Sequence, residues 1–167
     1  MDNYRKFLKE FDRKLENYFN QHKEHVHCKI GCSSCCENGD YPLSQIELEY
    51  LMLGYINLDN ETKIKVQKNI KSIQKGGQCP FLIEKKCSIY EYRPIICRVH
   101  GLAYIISNNR VKVPYCVYEN KNYSKVYNNG EITINPIPEN LDTPNVLKNF
   151  DYGEIRNLYD WIKIKLS

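Results

Sequence analysis

The chain has 167 residues, with 24 Lys or Arg against 20 Asp or Glu and a formal net charge of +4. This length suits one domain with an ordinary hydrophobic core. Mean hydropathy is −0.59, no apolar run approaches the roughly 20 residues of a membrane span, and no apolar secretory signal opens the chain. We therefore predict a single cytoplasmic domain over residues 1–167 with no membrane association.

The positive charge is weak evidence about partners. If all eight cysteines became thiolates around two zinc ions, their surplus negative charge would be about four units and would cancel the basic excess. The composition therefore does not indicate nucleic acid, and we expect an unknown protein or small molecule as partner.

Apolar residues in residues 3–25 recur at steps of three and four. This spacing predicts a long amphipathic helix with one buried stripe. The stripe consists of Tyr4, Phe7, Leu8, Phe11, Leu15, Tyr18 and Phe19. The segment ends in His22, His25 and His27, of which the first two are predicted to be surface histidines.

Two further helices are predicted between the first and second groups of cysteines. Ser44 and Glu47 form a capping-box pattern that starts a helix reaching about Tyr55. Asp59 or Asn60 starts the next helix, which Gly76-Gly77 would end. Its inward residues are predicted to be Ile64, Ile70 and Ile73. This pair of helices is an insertion that brings the two cysteine groups together.

The second half of the chain predicts short strands and a final helix. Residues 102–106 and 110–113 flank Ser107-Asn108-Asn109, which is typical of a tight hairpin. Residues 131–134 form another short strand, and a helix begins at about Gly153. The predicted fold class is α+β, predominantly α-helical, with a short β-hairpin, an irregular metal-organised cysteine-rich core over residues 27–116, and flanking helices within 1–26 and 143–167.

Clustered cysteines are the main functional signal. In a reducing compartment such thiols are more often metal ligands or redox groups than disulfides, and they favour zinc or iron–sulfur clusters. Few apolar residues accompany them in residues 79–116, so metal bonds are expected to organise that segment. The predicted ligands are Cys28, Cys32, Cys35, Cys36, Cys79, Cys87, Cys97 and Cys116.

Two details of the first cluster qualify this prediction. Cys35 and Cys36 are adjacent, so in an extended chain their side chains point apart; one would ligate, and the other would serve a second centre or remain a thiol. The spacing of Cys28, Cys32 and Cys35 also matches radical S-adenosylmethionine enzymes. The chain has too few strands for their barrel, and Ser34 stands where they usually have an aromatic residue.

Four neighbouring residues are candidates for supporting roles. His27 and His100 lie close to cysteines and would complete a zinc site if imidazole replaced one thiolate. Arg93 and Arg98 flank Cys97, where they would either neutralise the thiolates or bind an anionic cofactor or substrate. Pro94 favours a short helix start just before that cysteine.

Taken together, three motifs resemble the YkgJ-like cysteine-cluster family, described as a zinc- or iron-chelating domain. They are the run from Cys28 to Cys36, the sequence Cys79-Pro-Phe-Leu, and Cys87-Ser-Ile-Tyr-Glu-Tyr-Arg-Pro-Ile-Ile-Cys97-Arg. The resemblance implies that their seven cysteines are the family cysteines and that Cys116 matches a later one. The family often has an aromatic residue and a proline after Cys97-Arg98, where this chain has Val99-His100-Gly101.

Two classes of function follow from these observations. The first is a metal-binding module that holds an iron–sulfur cluster or zinc and acts in redox, sensing or protein interaction, with iron–sulfur favoured. The second is a small metalloenzyme, because the resemblance extends to a domain of flagellin lysine N-methylases. That alternative would involve S-adenosylmethionine and methyl transfer.

Overall fold

The computed structural model describes residues 1–29, 31–39, 41–106 and 110–165. The chain divides into two compact units. The first unit contains residues 1–28 and 98–146, and the second contains residues 29–97 and 147–167. Both helices and short strands are present, so the predicted α+β class is confirmed.

The first unit opens with the predicted amphipathic helix. Helix α1 is Asp2–Gln21, and its buried residues are Tyr4, Leu8, Phe11 and Leu15. His22, which follows the helix, was predicted at the surface, and that prediction is wrong. Its side chain is 2% exposed, and its ring nitrogens lie 2.7 Å from the Tyr123 hydroxyl and 2.7 Å from the Pro136 carbonyl oxygen. These two hydrogen bonds replace those that the polar ring would make with water.

The rest of the first unit consists of short elements. Strands β4 (Tyr104–Ile105) and β5 (Val111–Lys112) pair antiparallel, as predicted, while the predicted turn at 107–109 lies outside the described residues. The remaining elements are a 3-10 helix at Tyr115–Glu119, the antiparallel pair β6 (Tyr127–Asn128) and β7 (Glu131–Ile132), and helix α6 (Thr143–Val146). Ala103, Val117 and Tyr123 form a buried cluster among them.

The second unit contains the two predicted insertion helices, α3 (Gln45–Ile56) and α4 (Asn60–Lys71). The predicted capping box of Ser44 and Glu47 starts α3, and the Asp59 carboxylate accepts from the Thr62 N–H at the start of α4. Ile70 and Ile73 pack against the core as predicted. Ile64 does not; it is 66% exposed because Val66 occupies the inward position instead. Helix α4 also ends at Lys71, before Gly76-Gly77.

Short elements complete the second unit. They are α2 (Ser34–Glu37), β1 (Pro42–Ser44), β2 (Leu82–Ile83), β3 (Lys86–Cys87), a 3-10 helix at Tyr90–Tyr92, β8 (Ile155–Asn157) and α7 (Leu158–Lys165). Helix α5 (Ile95–Val99) begins in this unit and carries the chain into the first. Strand β1 pairs with β8, and β2 pairs with β3, both antiparallel.

The end of the chain differs from the prediction of a helix from about Gly153. Residues 155–157 form β8 instead, where pairing with β1 leaves Ile155 37% exposed. Helix α7 then buries Leu158, Trp161 and Ile162, and the Trp161 indole N–H donates to the Leu43 carbonyl at 2.9 Å. Among the described residues, no helix is both long and apolar enough to cross a membrane.

Candidate metal centre

Two of the sequence motifs meet at a backbone hydrogen bond. The N–H of Cys79 donates to the carbonyl oxygen of Cys36 at 2.7 Å. These residues are separated by the α3–α4 insertion, which therefore returns the chain to the first cysteine cluster as the sequence predicts. Cys79 and Cys36 are held at one place by main-chain atoms, independently of any metal.

A tight hairpin places Cys87 beside this junction. Cys87 in β3 is the register partner of Leu82 in β2, and the N–H of Leu82 donates back to the Cys79 carbonyl at 3.1 Å. Glu84 and Lys85 form the turn with φ of 50° and 61°. Left-handed angles at both central positions are those of a type I′ turn, the form that matches the twist of paired strands.

Helix α5 positions Cys97. The Cys97 N–H donates to the Pro94 carbonyl at 3.0 Å in the first turn, which agrees with the predicted helix start. The turn is anchored by Glu47 of α3, whose carboxylate is 1% exposed. One Glu47 oxygen accepts from the Ile95 N–H, and the other accepts from the Ser44 N–H and hydroxyl, each at 2.7 Å. One buried side chain thus caps two helices.

We expect Glu47→Gln to lower the free energy of unfolding by about 2–3 kcal/mol, because the amide group turns a donor toward donors and weakens charge-assisted bonds in the interior. The matched control is Glu49→Gln on the exposed side of the same helix, which should change stability by less than about 0.5 kcal/mol. Urea unfolding of both variants measures the difference. Equal free energies of unfolding for the two variants would show that Glu47 does not anchor the turn.

The thiols of Cys35 and Cys36 lie side by side. Both residues are in α2, a single helical turn, and their sulfur atoms are 3.9 Å apart. The expectation that they point apart is therefore wrong, because it assumed extended backbone. Two sulfurs bound to one tetrahedral zinc at about 2.3 Å are about 3.8 Å apart, so the observed spacing suits joint ligation of one ion.

Five thiols of the second unit form one electrostatic group, named here the five-cysteine group: Cys35, Cys36, Cys79, Cys87 and Cys97. A negative charge on Cys35 raises the pKa of each of the other four, and Cys79 acts likewise on Cys36 and Cys97. Coulomb interactions weaken with distance, so these thiols lie within electrostatic range of one another. Five of the eight predicted ligands therefore share one neighbourhood of the second unit.

Burial and hydrogen bonding decide which of these thiols ionises first. The Cys36 thiol donates to Cys35, which lowers the pKa of Cys35 and raises that of Cys36. Burial raises the pKa of Cys79 to about 12, and it also raises those of Cys87 and Cys97. A metal bound by Cys79, Cys87 and Cys97 would therefore have to displace protons that these thiols hold firmly.

The two candidate arginines have different surroundings. Arg93 belongs to the second unit, and its charge lowers the pKa values of Cys35, Cys87 and Cys97. Its guanidinium stacks 3.4 Å from the centre of the Tyr90 ring and donates to the Tyr90 carbonyl at 2.8 Å. Arg98 belongs to the first unit, where its buried side chain forms an ion pair with Asp12 of α1. Arg93 is therefore a cation that acts on three thiols of the five-cysteine group.

The other three predicted ligands have different local surroundings. Cys32 lies in the second unit and is exposed. Cys28 and Cys116 lie in the first unit, where the charge of each raises the pKa of Tyr123 in addition to the effect of burial. Cys116 is buried within the 3-10 helix at Tyr115–Glu119.

Cys28 has a built environment that sequence reasoning missed. Asn122, 2% exposed, donates from its amide nitrogen to the Cys28 sulfur at 3.1 Å and to the Gly101 carbonyl at 3.0 Å. Its amide oxygen accepts from the His27 N–H at 2.8 Å. Gly101 has φ of +103°, and a Cβ there would lie 2.8 Å from the Cys28 sulfur. This close approach explains the glycine in the Val99-His100-Gly101 departure from the family pattern.

The candidate histidines lie in the first unit. His27 is exposed, and its backbone is held by Asn122. Burial, together with the charge of Lys112, lowers the pKa of His100 to about 4. The imidazole of His100 is therefore neutral at neutral pH, which is the form that binds metals. Its ligation of a metal remains a prediction.

The side chains as they stand do not enclose an ion. Among residues 1–29, 31–39, 41–106 and 110–165, no three His, Cys, Asp or Glu side chains are close enough together to hold a metal. The donor set nevertheless fits zinc or iron, since it consists of soft sulfur atoms beside a cation that favours thiolates. Closing the site requires the thiols of the five-cysteine group to turn toward a common centre.

Residues 27–129, more than half of the chain, match the family described as "Putative zinc- or iron-chelating domain", with the signature CxxCxxCC. The chain belongs to this family. The matched range contains all eight cysteines and confirms the resemblance seen in the sequence. Three residues separate Cys28 from Cys32, one more than in the signature. The spacing of Cys32, Cys35 and Cys36 matches the signature.

One curated relative is an uncharacterized protein of Methanocaldococcus jannaschii, 28% identical over 102 residues. The match covers 55% of this chain and 53% of the relative, so the chain spans about half of the length of that protein. No solved structure matches the chain.

Proposed function

We propose that this chain is a metal-binding module in which the five-cysteine group holds zinc or iron through thiolates. The observation that carries the proposal is the junction of Cys36 with Cys79, which brings cysteines from separate motifs to one place through a 2.7 Å backbone hydrogen bond. Membership of the CxxCxxCC family supports the same conclusion. The metal would supply a structural bond between α2, the β2–β3 hairpin and α5.

The spacing of Cys35 and Cys36 favours a centre that both sulfurs bind over a four-iron cluster. In a [4Fe–4S] cluster each iron takes one cysteine sulfur, whereas two sulfurs 3.9 Å apart match one edge of a tetrahedral centre, which is either a mononuclear site or one iron of a [2Fe–2S] cluster. We propose zinc or one iron as the simplest such centre, with a two-iron cluster as the alternative. A role in protein interaction then suits the module better than electron transfer.

Metal analysis of protein purified without oxygen tests the proposal. We expect about one zinc or iron per chain and no acid-labile sulfide. Sulfide in proportion to several irons would replace the single ion by a cluster and restore the redox or sensor role. Absence of metal above trace levels would reject the proposal, provided that the protein is shown to be folded by circular dichroism.

Methyl transfer gains no support from the geometry. One groove of the described residues, about 430 Å³, is lined by Arg110, Val111, Gly130, Glu131 and Ile132, and none of these is a cysteine. The groove belongs to the first unit, whereas the five-cysteine group belongs to the second. We therefore propose no second function.

A further inference from the structure

The basic charge of this chain is concentrated in one segment. Residues 59–87 contain seven lysines and three acidic residues, which leaves 17 basic and 17 acidic residues in the remainder. The whole formal charge of +4 therefore comes from the α4 region and the β2–β3 hairpin. The net charge of the whole chain does not indicate nucleic acid, but its concentration in one segment gives that segment a positive surface.

These two elements pack together within the second unit. The Asn69 amide of α4 donates to the Pro80 carbonyl at 3.1 Å. Lys65 forms ion pairs with Glu61 and with Glu84 of the hairpin turn at 2.9 and 3.2 Å. The third acidic residue, Asp59, caps α4. All three acidic groups of the segment are therefore engaged locally.

Five exposed lysines remain, and we name them the lysine face: Lys68, Lys71, Lys75, Lys85 and Lys86. None of them has an ion-pair partner among the residues that the structure describes, and all are exposed. Lys68 and Lys71 lie on the side of α4 opposite the buried Val66. Lys85 and Lys86 extend the positive surface through the hairpin turn next to Glu84.

The surroundings of the lysine face select among anionic partners. Insertion into a membrane needs exposed apolar side chains beside the charges, but α4 packs Val66 and Ile70 inward and leaves Ile64 outward. Binding of single strands relies on aromatic stacking, and Phe81, the sole aromatic residue of 59–87, is 1% exposed. Among residues 59–87, Ile64 is the one exposed large apolar side chain and no aromatic ring is exposed, which favours a duplex over a membrane or a single strand.

We propose that the lysine face binds the phosphate backbone of double-stranded nucleic acid. Lysine ammonium groups contact phosphates as point charges, and residues 59–87 contain no arginine for bidentate reading of bases. Binding is therefore independent of sequence and governed by counterion release. This function goes beyond metal binding and does not require it. A zinc or iron ion bound by the five-cysteine group would not change the charge of the lysine face.

The experiment measures binding of the full purified chain to a fluorescent mixed-sequence DNA duplex of about 20 base pairs. With about four phosphates neutralised, we expect a dissociation constant near 10 μM at moderate salt and about a 100-fold loss of affinity between 50 and 200 mM salt. The variant K68E/K71E/K75E should lose at least about tenfold in affinity. The control K6E/K9E/K14E makes the same charge change on exposed positions of α1 and should lose less than about threefold.

Several outcomes would overturn the proposal. One is no binding by the unmodified chain, and another is an equal loss in the two triple variants, which would make the effect one of overall charge. Tighter binding to a single-stranded RNA of the same length, or stronger retention by phosphatidylserine vesicles than by duplex, would assign the face to a different partner. Circular dichroism of both variants establishes that any loss occurs in folded protein.

Discussion

Removal of the metal with a chelator is expected to speed amide exchange in residues 79–97 by at least about tenfold, while exchange in α1 stays unchanged. The segment is built from two-residue strands, a 3-10 turn and a five-residue helix. Such elements have few backbone hydrogen bonds of their own, so bonds from Cys79, Cys87 and Cys97 to one ion would supply much of their local stability. Hydrogen exchange followed by mass spectrometry measures the effect.

The loosening should be local because the segment is also anchored by apolar side chains. The sequence suggested few such anchors in residues 79–116, but Phe81, Ile89 and Ile95 are at most 4% exposed. Residues 98–146 belong to the other unit, which narrows the region of expected faster exchange to 79–97. Protection should return when zinc or iron is added back. Identical exchange before and after chelation would show that the hydrophobic core alone holds these residues.

Elements with strong local signals were predictable from the sequence. The apolar stripe of α1 and the capping residues Ser44 and Asp59 each act within one or two helical turns. The start of α5 after Pro94 follows from the same local chemistry. In these places neighbouring residues determine the backbone, so the pattern is enough to locate the element.

Elements that depend on distant partners or unusual turns were not predictable. Strand β1 exists because Pro42 and Ser44 pair with Asn157 and Ile155 more than a hundred positions away. The β2–β3 hairpin turns at Glu84-Lys85 with left-handed angles, although Gly and Asn are the residues that usually indicate such a turn. Local propensity carries no signal for either one.

The candidate site shows the same division. Spacing identified the cysteines and placed Cys36 near Cys79 through the helical insertion. It gave no indication of the contact between Glu47 and Ile95 or of the role of Asn122, because these hydrogen bonds reach segments far along the chain. In the sequence, Glu47 has only the pattern of a capping box. The structure adds that its second carboxylate oxygen accepts a hydrogen bond from the Ile95 N–H.

The orientation of Cys35 and Cys36 leads to the last prediction, because the sequence and the structure give opposite expectations. In an extended chain only one of Cys35 and Cys36 would bind the ion, and Cys32 would be a further ligand. In the helical turn of α2, the sulfur of Cys36 instead lies 3.9 Å from that of Cys35. The Cys36 carbonyl also accepts a hydrogen bond from the Cys79 N–H, while Cys32 is exposed. Cys36 is therefore expected to contribute more to metal affinity.

We expect Cys36→Ser to weaken zinc binding at least about 100-fold, because a serine hydroxyl is a poor replacement for a soft thiolate ligand. The matched variant Cys32→Ser removes a sulfur from the same cluster and should change affinity by less than about threefold. Competition with a chromophoric chelator measures both constants under anaerobic conditions, and circular dichroism verifies folding. If Cys32→Ser loses the metal while Cys36→Ser retains it, the ligands follow the linear spacing of the motif and the turn of α2 does not present both sulfurs to one ion.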